Sequence, residues 1–144
     1  MGFFTKLVAS PGVGPFLFDR IRQKHRLRNT LRQVYGNKEA ITAELIEMIY
    51  EPTNHPGAQE VFAAILTAPP GPQPSELLPQ VQRPFLVIWG EDDPWTPVAG
   101  ASIFQEFASK INLQFTTIPK TGHCPHDERP EEVNRLILSW LRGN

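Results

Sequence analysis

The residues best suited to chemistry are an aspartate and a histidine that follow two strand-like segments. Asp93 stands in GEDDPWTP, directly after FLVIW, and His123 stands in TGHCPH, after NLQFTTIP. A carboxylate bonded to one imidazole nitrogen fixes the tautomer, so that the other nitrogen can take a proton from a nucleophile. We therefore interpret the two residues as an acid and general-base pair, which requires the fold to bring them together.

Two parallel strands would position this pair. PFLVIWG is a continuous apolar run, as expected of a buried parallel strand, and NLQFTTIP predicts a second strand. Helices are predicted in PVAGASIFQEFASKI between the strands and in RPEEVNRLILSWLRG after them. Open α/β sheets place their sites at the carboxyl ends of strands, where Asp93 and His123 both fall.

The first half of the chain predicts helices without a sheet. In PFLFDRIRQKHRLRNTLRQVY, apolar residues recur at three- and four-residue steps, which predicts one amphipathic helix. Asn37 is expected to cap a second helix, and GAQEVFAAILTA predicts a third. A proline-rich connector, with at most one helical turn at residues 75–78, leads into the strands. We expect a helical cap at residues 1–80 and a strand-helix-strand-helix parallel α/β unit at residues 81–144.

Composition narrows the class of protein. Of the 144 residues, 40% are hydrophobic and 20% are charged, and the net charge is -1, so neither a disordered chain nor a nucleic-acid binder is indicated. No apolar run reaches the roughly 18 residues of a membrane span, and MGFFTKLV lacks the pattern of a secretory signal. We expect a soluble intracellular protein without stable membrane insertion.

The two motifs resemble those of the α/β-hydrolases. FLVIWGEDDPWTP is similar to the strand and turn that carry the catalytic acid of that family, with Gly90, Asp93 and Pro97 at the family's spacing. GHCPHDERPEEVNRLILSWL is similar to the catalytic-histidine loop and terminal helix, with His123 as the catalytic residue. The two motif sequences resemble most those of pheophytinase-like esterases of plants and cyanobacteria. The motif resemblance covers residues 84–142.

The resemblance implies a partial α/β-hydrolase fold and a Ser-His-Asp hydrolase of hydrophobic carboxylic esters, without a cofactor or metal, in the cytoplasm or plastid stroma. The family's chain order is nucleophile, acid, histidine, so the nucleophile is expected ahead of the cap, before residue 1. None of the five serines stands in a Gly-x-Ser-x-Gly elbow; they are Ser10, Ser75, Ser102, Ser109 and Ser139. The chain alone is therefore expected to be inactive.

Two alternatives stay open. The full-length protein could use dehalogenase or epoxide hydrolase chemistry, which employs an Asp nucleophile. The chain could also be a non-catalytic interaction remnant, or a subunit completed by another chain such as a separate N-terminal half. Because two parallel strands leave unpaired edges, we expect the isolated chain to be marginally stable or to self-associate.

Neighbouring residues have structural interpretations. Asp93 alone would serve to close the turn before Pro97. Cys124 is expected to pack as a small apolar residue rather than to act as the nucleophile, and His126 to hydrogen-bond within its loop. The cluster of His123, His126, Asp127 and Glu128 lacks a recognised metal-ligand spacing. The basic run from Arg20 to Arg32 is interpreted as a solvated face of the cap, with binding to anionic lipid or nucleic acid as the alternative.

Overall fold

The computed structural model of the protein describes Leu7, Ser10 and residues 12–143. Within these residues, helices precede the proline-rich connector and both strands follow it. The α-helices of the described residues are α1 (Val13–Ile21), α2 (Lys24–Val34), α3 (Ala43–Tyr50), α4 (Ala58–Thr67), α5 (Pro74–Leu77), α6 (Ser102–Ala108), α7 (Pro125–Glu128) and α8 (Pro130–Gly143). The strands are β1 (Phe85–Gly90) and β2 (Leu113–Ile118). Short 3-10 helices lie at Lys38–Ala40, Glu51–Asn54, Leu78–Gln80 and Val98–Ala101.

The described residues divide into two units. The first unit comprises those up to Leu31 together with Ile41–Gly71, and the second comprises Arg32–Ala40 together with residues 72–143. The second unit is therefore built from two separate stretches of sequence, and it contains both Asp93 and His123. The cap and core bounds drawn at residue 80 stay a prediction.

The prediction of a single helix across residues 15–35 is wrong. α1 ends at Ile21 and α2 begins at Lys24. Between them, the Arg22 guanidinium donates to Asp19 at 2.7 Å and to the Asn54 side-chain oxygen at 2.6 Å. The apolar periodicity continues across this turn, because it reflects only which residues face inward. It gives no information about a contact with a residue as distant in sequence as Asn54.

The expected cap of the second helix is also wrong. Thr42, not Asn37, precedes α3, and its hydroxyl oxygen accepts the Leu45 amide at 3.0 Å. Asn37 instead precedes the 3-10 turn, where its side chain accepts the Glu39 amide at 3.2 Å. Both residues are good N-caps, and the distinction depends on where the helical turn begins.

Polar contacts within the first unit occupy part of the basic run. Lys24 pairs with Glu47, and an Arg28 Nη1 donates to the Ile41 carbonyl at 3.3 Å. Among the described residues, no helix has both the length and the apolar character that crossing a bilayer requires.

The second unit confirms the predicted pair of parallel strands. β1 and β2 run parallel, with Phe85 opposite Leu113 and Gly90 opposite Ile118. Leu78, Val87 and Leu113 are buried together, and partly buried side chains of β1, β2 and α6 pack against them, including Trp89, Ile103, Phe104, Phe107 and Phe115. Leu78 anchors the end of the connector in this core, next to the single helical turn α5. The predicted element order is present, with α7 added between β2 and α8.

Gly90, at the end of β1, gives a test of this packing. A Cβ added there would lie 2.0 Å from the Gly122 carbonyl oxygen and 2.5 Å from that of Thr121. Because backbone atoms cannot rotate away, Gly90→Ala is expected to lower the free energy of unfolding by about 2 kcal/mol or more, measured by urea denaturation. Gly100→Ala is the control, since nothing lies within 4 Å of its added Cβ. Equal denaturation midpoints for the two variants would contradict the packing.

Candidate active site

Parallel pairing continues beyond the strands and aligns two loops. The acid loop, residues 91–97, carries Asp93, and the histidine loop, residues 119–129, carries His123. After β1, the Glu91 amide donates to the Ile118 carbonyl at 3.1 Å, and the Asp92 amide donates to the Thr121 carbonyl at 2.9 Å. The absence of a side chain at Gly90 lets the backbone of the histidine loop cross directly over the strand end. The acid loop and the histidine loop therefore lie side by side.

The structure brings the two predicted site residues together. His123 Nδ1 lies 2.9 Å from Asp93 Oδ2. The Asp93 side chain is 5% exposed, whereas that of His123 is 34% exposed. The carboxylate is thus enclosed, and the imidazole remains partly accessible. The catalytic role of the two residues stays a prediction, but the contact on which it depends is present.

Asp93 also closes the turn before Pro97, which is its predicted structural role. This role is compatible with the predicted catalytic one. Its Oδ1 accepts the amides of Trp95 at 2.9 Å and of Thr96 at 3.0 Å, and its Oδ2 accepts the Thr96 hydroxyl at 2.5 Å. Burial raises the pKa of Asp93, but the hydrogen bonds from Thr96, His123 and Trp95 together outweigh burial and lower that pKa below its ordinary value. The ionised carboxylate can only accept, so a neutral His123 carries its proton on Nδ1.

The other side of the His123 ring faces an aromatic residue. The Trp95 ring centroid lies 5.1 Å from that of His123 with a 58° interplanar angle, and Trp95 is 59% exposed. Among residues 12–143, no hydrogen bond engages His123 Nε2. Trp89 of β1 also holds the acid loop, because its indole N–H donates to the Thr96 carbonyl at 2.9 Å.

Glu128 holds the histidine loop, a role that the sequence analysis missed. It is 2% exposed. Its carboxylate accepts the amides of Gly122 at 2.9 Å and Cys124 at 3.2 Å, which flank His123, and also those of Gly36 at 2.7 Å and Asn37 at 2.8 Å. No local pattern marks this residue, because two of its donors lie about ninety positions earlier in the chain.

Backbone contacts complete the support of the loop. The His123 amide donates to the Val34 carbonyl at 2.9 Å, and the Asn37 side chain donates to the Glu128 carbonyl at 3.0 Å. A Cβ added to Gly122 would lie 2.1 Å from the Val34 carbonyl oxygen, so at this point the two segments meet backbone to backbone. The stretch after α2 therefore forms one wall of the histidine loop.

The remaining polar residues of the loop have no catalytic geometry of their own. Tyr35, which is 2% exposed, donates its hydroxyl to Asp127 at 2.7 Å. Burial raises the pKa of Cys124, so its thiol stays protonated, which disfavours a thiolate nucleophile. The His126 side chain is 70% exposed, with Nε2 3.9 Å from Asp127. Within the part of the chain that the structure describes, no group of three or more potential ligands is arranged to hold a metal ion.

Ser10 has a local hydrogen bond. Its hydroxyl donates to the Leu7 carbonyl at 2.8 Å, in the first unit. Neither this contact nor its sequence context has the features of an activated nucleophile.

This chain belongs to the alpha/beta hydrolase family, which it matches over residues 4–136. Chloroplastic pheophytinase of Arabidopsis thaliana is 33% identical to it over 131 residues, which cover 88% of this chain and 26% of pheophytinase. The resemblance inferred from the acid and histidine motifs is therefore confirmed at the level of the family.

Solved structures share the fold. An esterase from Thermogutta terrifontis is 28% identical, with a TM-score of 0.62, over 88% of this chain and 47% of the esterase. A serine hydrolase involved in carbazole degradation (CarC) is 22% identical, with a TM-score of 0.66, over 85% of this chain and 48% of that protein. The predicted partial α/β-hydrolase fold is confirmed. The chain spans just under half the length of these structures and about a quarter of the length of pheophytinase.

Replacing the buried glutamate tests how the histidine loop is held. Glu128→Gln keeps the side-chain volume but turns one acceptor into a donor that faces backbone amides, so we expect the free energy of unfolding to fall by about 3 kcal/mol. Urea denaturation measures this change. Glu132→Gln is the matched control, because Glu132 lies 40% exposed on α8 with only a 3.4 Å contact to Arg135. Similar losses in both variants would contradict the proposed anchoring.

The acid dependence of stability tests the Asp93 contacts. Because the pKa of Asp93 is lower in the folded than in the unfolded chain, its contribution is present above about pH 4 and is lost as pH falls through the folded-state pKa. The destabilisation caused by Asp93→Asn is therefore expected to be largest near neutral pH and to shrink on acidification. Urea midpoints measured across that range check this, with exposed Asp92→Asn as the control. A destabilisation that does not vary with pH would show that the carboxylate charge is not stabilised by folding.

Proposed function

We propose that this chain supplies the acid and the general base of a Ser-His-Asp carboxylic ester hydrolase. The observation that supports this is the 2.9 Å contact between Asp93 Oδ2 and His123 Nδ1, at the partly exposed end of two parallel strands. With the proton held on Nδ1, the Nε2 lone pair is available to take a proton from an attacking serine hydroxyl. Asp93 stabilises the imidazolium that forms, and His123 then returns the proton to the leaving alkoxide.

The nucleophile and the oxyanion-binding amides belong, in this proposal, to a part of the protein outside this chain. None of the serines in the sequence stands in a Gly-x-Ser-x-Gly elbow. The matched hydrolase structures are about twice as long as this chain. The chain alone is accordingly proposed to be inactive, and the reaction uses no metal ion or organic cofactor.

The proposed substrate is an ester with a large hydrophobic group. An open groove of about 480 Å³ within the first unit supports this, because its lining is mostly apolar and includes Phe18, Pro52, Val61, Phe62 and Ile65. Val61 and Ile65 are 60% and 71% exposed there, which leaves apolar surface free to contact a ligand. The 33% identity to chloroplastic pheophytinase points in the same direction.

A second candidate function is that of a non-catalytic module, either an interaction remnant or a subunit completed by another polypeptide such as a separate N-terminal half or a second copy. Exposed apolar side chains on α8 favour it: Ile137, Leu138 and Leu141 are 38%, 53% and 58% exposed. Within the described residues the sheet has two strands, fewer than a sheet of this kind needs to cover its faces. Such surface is expected of a chain that gains a partner.

Ester hydrolysis separates these functions. We expect no hydrolysis of short-chain p-nitrophenyl esters by this chain alone, and hydrolysis when it is mixed with a polypeptide that supplies the preceding strands and the nucleophile elbow. In the mixture, His123→Ala and Asp93→Asn should each lower kcat by about 10⁴-fold, because the base or its orienting group is lost.

His126→Ala is the matched control, since this histidine lies three positions away and its side chain is 70% exposed. It should leave kcat within about twofold of the unmodified mixture. Hydrolysis by the chain alone would mean that it contains a nucleophile. Complex formation without hydrolysis would favour the non-catalytic subunit.

A further inference from the structure

One carboxylate oxygen of Asp93 serves two donors. Oδ2 accepts from His123 Nδ1 at 2.9 Å and from the Thr96 hydroxyl at 2.5 Å. The hydroxyl oxygen itself lies 3.5 Å from His123 Nδ1, so the three groups form a small triangle. Thr96 thus touches the acid at the very atom that contacts the imidazole.

The backbone of Thr96 is fixed on both sides. Its amide donates to Asp93 Oδ1 at 3.0 Å, and its carbonyl accepts the Trp89 indole N–H at 2.9 Å. Pro97 follows and restricts the backbone of the residue before it. The hydroxyl is consequently presented to Asp93 by a rigid frame, and it does not have to be ordered when the acid bonds the histidine.

We propose that Thr96 is a positioning residue whose hydroxyl holds the Asp93 carboxylate in the orientation that places Oδ2 against His123 Nδ1. Without it, Oδ1 keeps its two backbone donors while Oδ2 keeps only the imidazole. The carboxylate then has one restraint fewer against rotation about its Cβ–Cγ bond, and the contact that selects the Nδ1–H tautomer weakens. The consequence for catalysis rests on the proposed function, but the effect on the His123 tautomer is a property of this chain.

The hydrogen bonds of the other titratable groups near His123 do not involve Thr96. Besides Asp93, titratable groups near His123 include Cys124, His126, Asp127 and Glu128 of its own loop and Tyr35, which directly follows α2. None of them bonds Thr96. A difference between Thr96 variants therefore reports on the hydroxyl and not on a rearranged charge elsewhere.

The test is the imidazole ¹⁵N spectrum of His123 in this chain, which distinguishes the two neutral tautomers. Thr96→Val removes the hydroxyl at nearly constant volume, and we expect the ratio of Nδ1–H to Nε2–H tautomer to fall roughly threefold or more. The pKa of Asp93, followed by carboxyl ¹³C shifts, should rise because a hydrogen bond that lowers it is gone. Thr96→Ser, which keeps the hydroxyl, should restore both signals.

Thr117→Val is the matched control, since its hydroxyl also bonds a carboxylate, that of Glu91 at 2.7 Å, on the surface beside the site. It should leave the His123 tautomers unchanged. Thr96 is an exposed residue, so its substitution creates no core cavity, and Thr96→Ala provides a second variant should the valine disturb the turn. A folded Thr96→Val or Thr96→Ala chain with the unmodified tautomer ratio would overturn the proposal.

The catalytic consequence is measured in the completed hydrolase. There Thr96→Val should lower kcat about tenfold with KM unchanged, and Thr96→Ser should recover most of it. An unchanged kcat in Thr96→Val would overturn the positioning role. If the unmodified mixture hydrolyses no ester while the tautomer ratio still responds to Thr96, the proposed ester hydrolysis fails and the role of Thr96 stands.

Discussion

The second unit depends on one buried carboxylate. The Glu128 carboxylate accepts hydrogen bonds from backbone amides of two separate stretches of the chain. These are the amides of Gly122 and Cys124 in one stretch and of Gly36 and Asn37 in the other. A charge that is 2% exposed is tolerated only when its lone pairs are satisfied, so the four amides and the carboxylate require one another. The conformation of the loop around His123 follows from this arrangement, because the residues on both sides of the histidine are held.

The site itself combines rigidity on one side with access on the other. Asp93 is enclosed by donors from its own turn, and the strand pairing carried past Gly90 aligns that turn with the histidine loop. The imidazole of His123 is partly exposed, and Trp95 beside it is exposed. Burial alone would raise the pKa of Asp93, but the hydrogen bonds to its carboxylate lower it, so Asp93 stays an acceptor at neutral pH. An acid that remains an acceptor is what a general-base histidine needs.

Local signals made the strands and the acid–histidine pair predictable. β1 is an apolar run ended by Gly90, and Asp93 stands in a turn whose spacing is itself informative. The features that escaped prediction depend on distant partners. Arg22, at the break between α1 and α2, contacts Asn54, and Glu128 accepts amides from residues about ninety positions earlier. A single sequence reports periodicity and turn chemistry well, but it does not report which far segment will satisfy a polar group.

The discontinuity of the second unit has a practical consequence for dissecting the protein. Arg32–Ala40 precedes the proline-rich connector in sequence yet belongs with the strands that follow it. A fragment cut at the connector, a common site for proteolysis or for a cloning boundary, would lose Gly36 and Asn37, and with them two of the four backbone amides that donate to the Glu128 carboxylate. The minimal fragment that keeps the native contacts of the histidine loop must therefore include Arg32–Ala40.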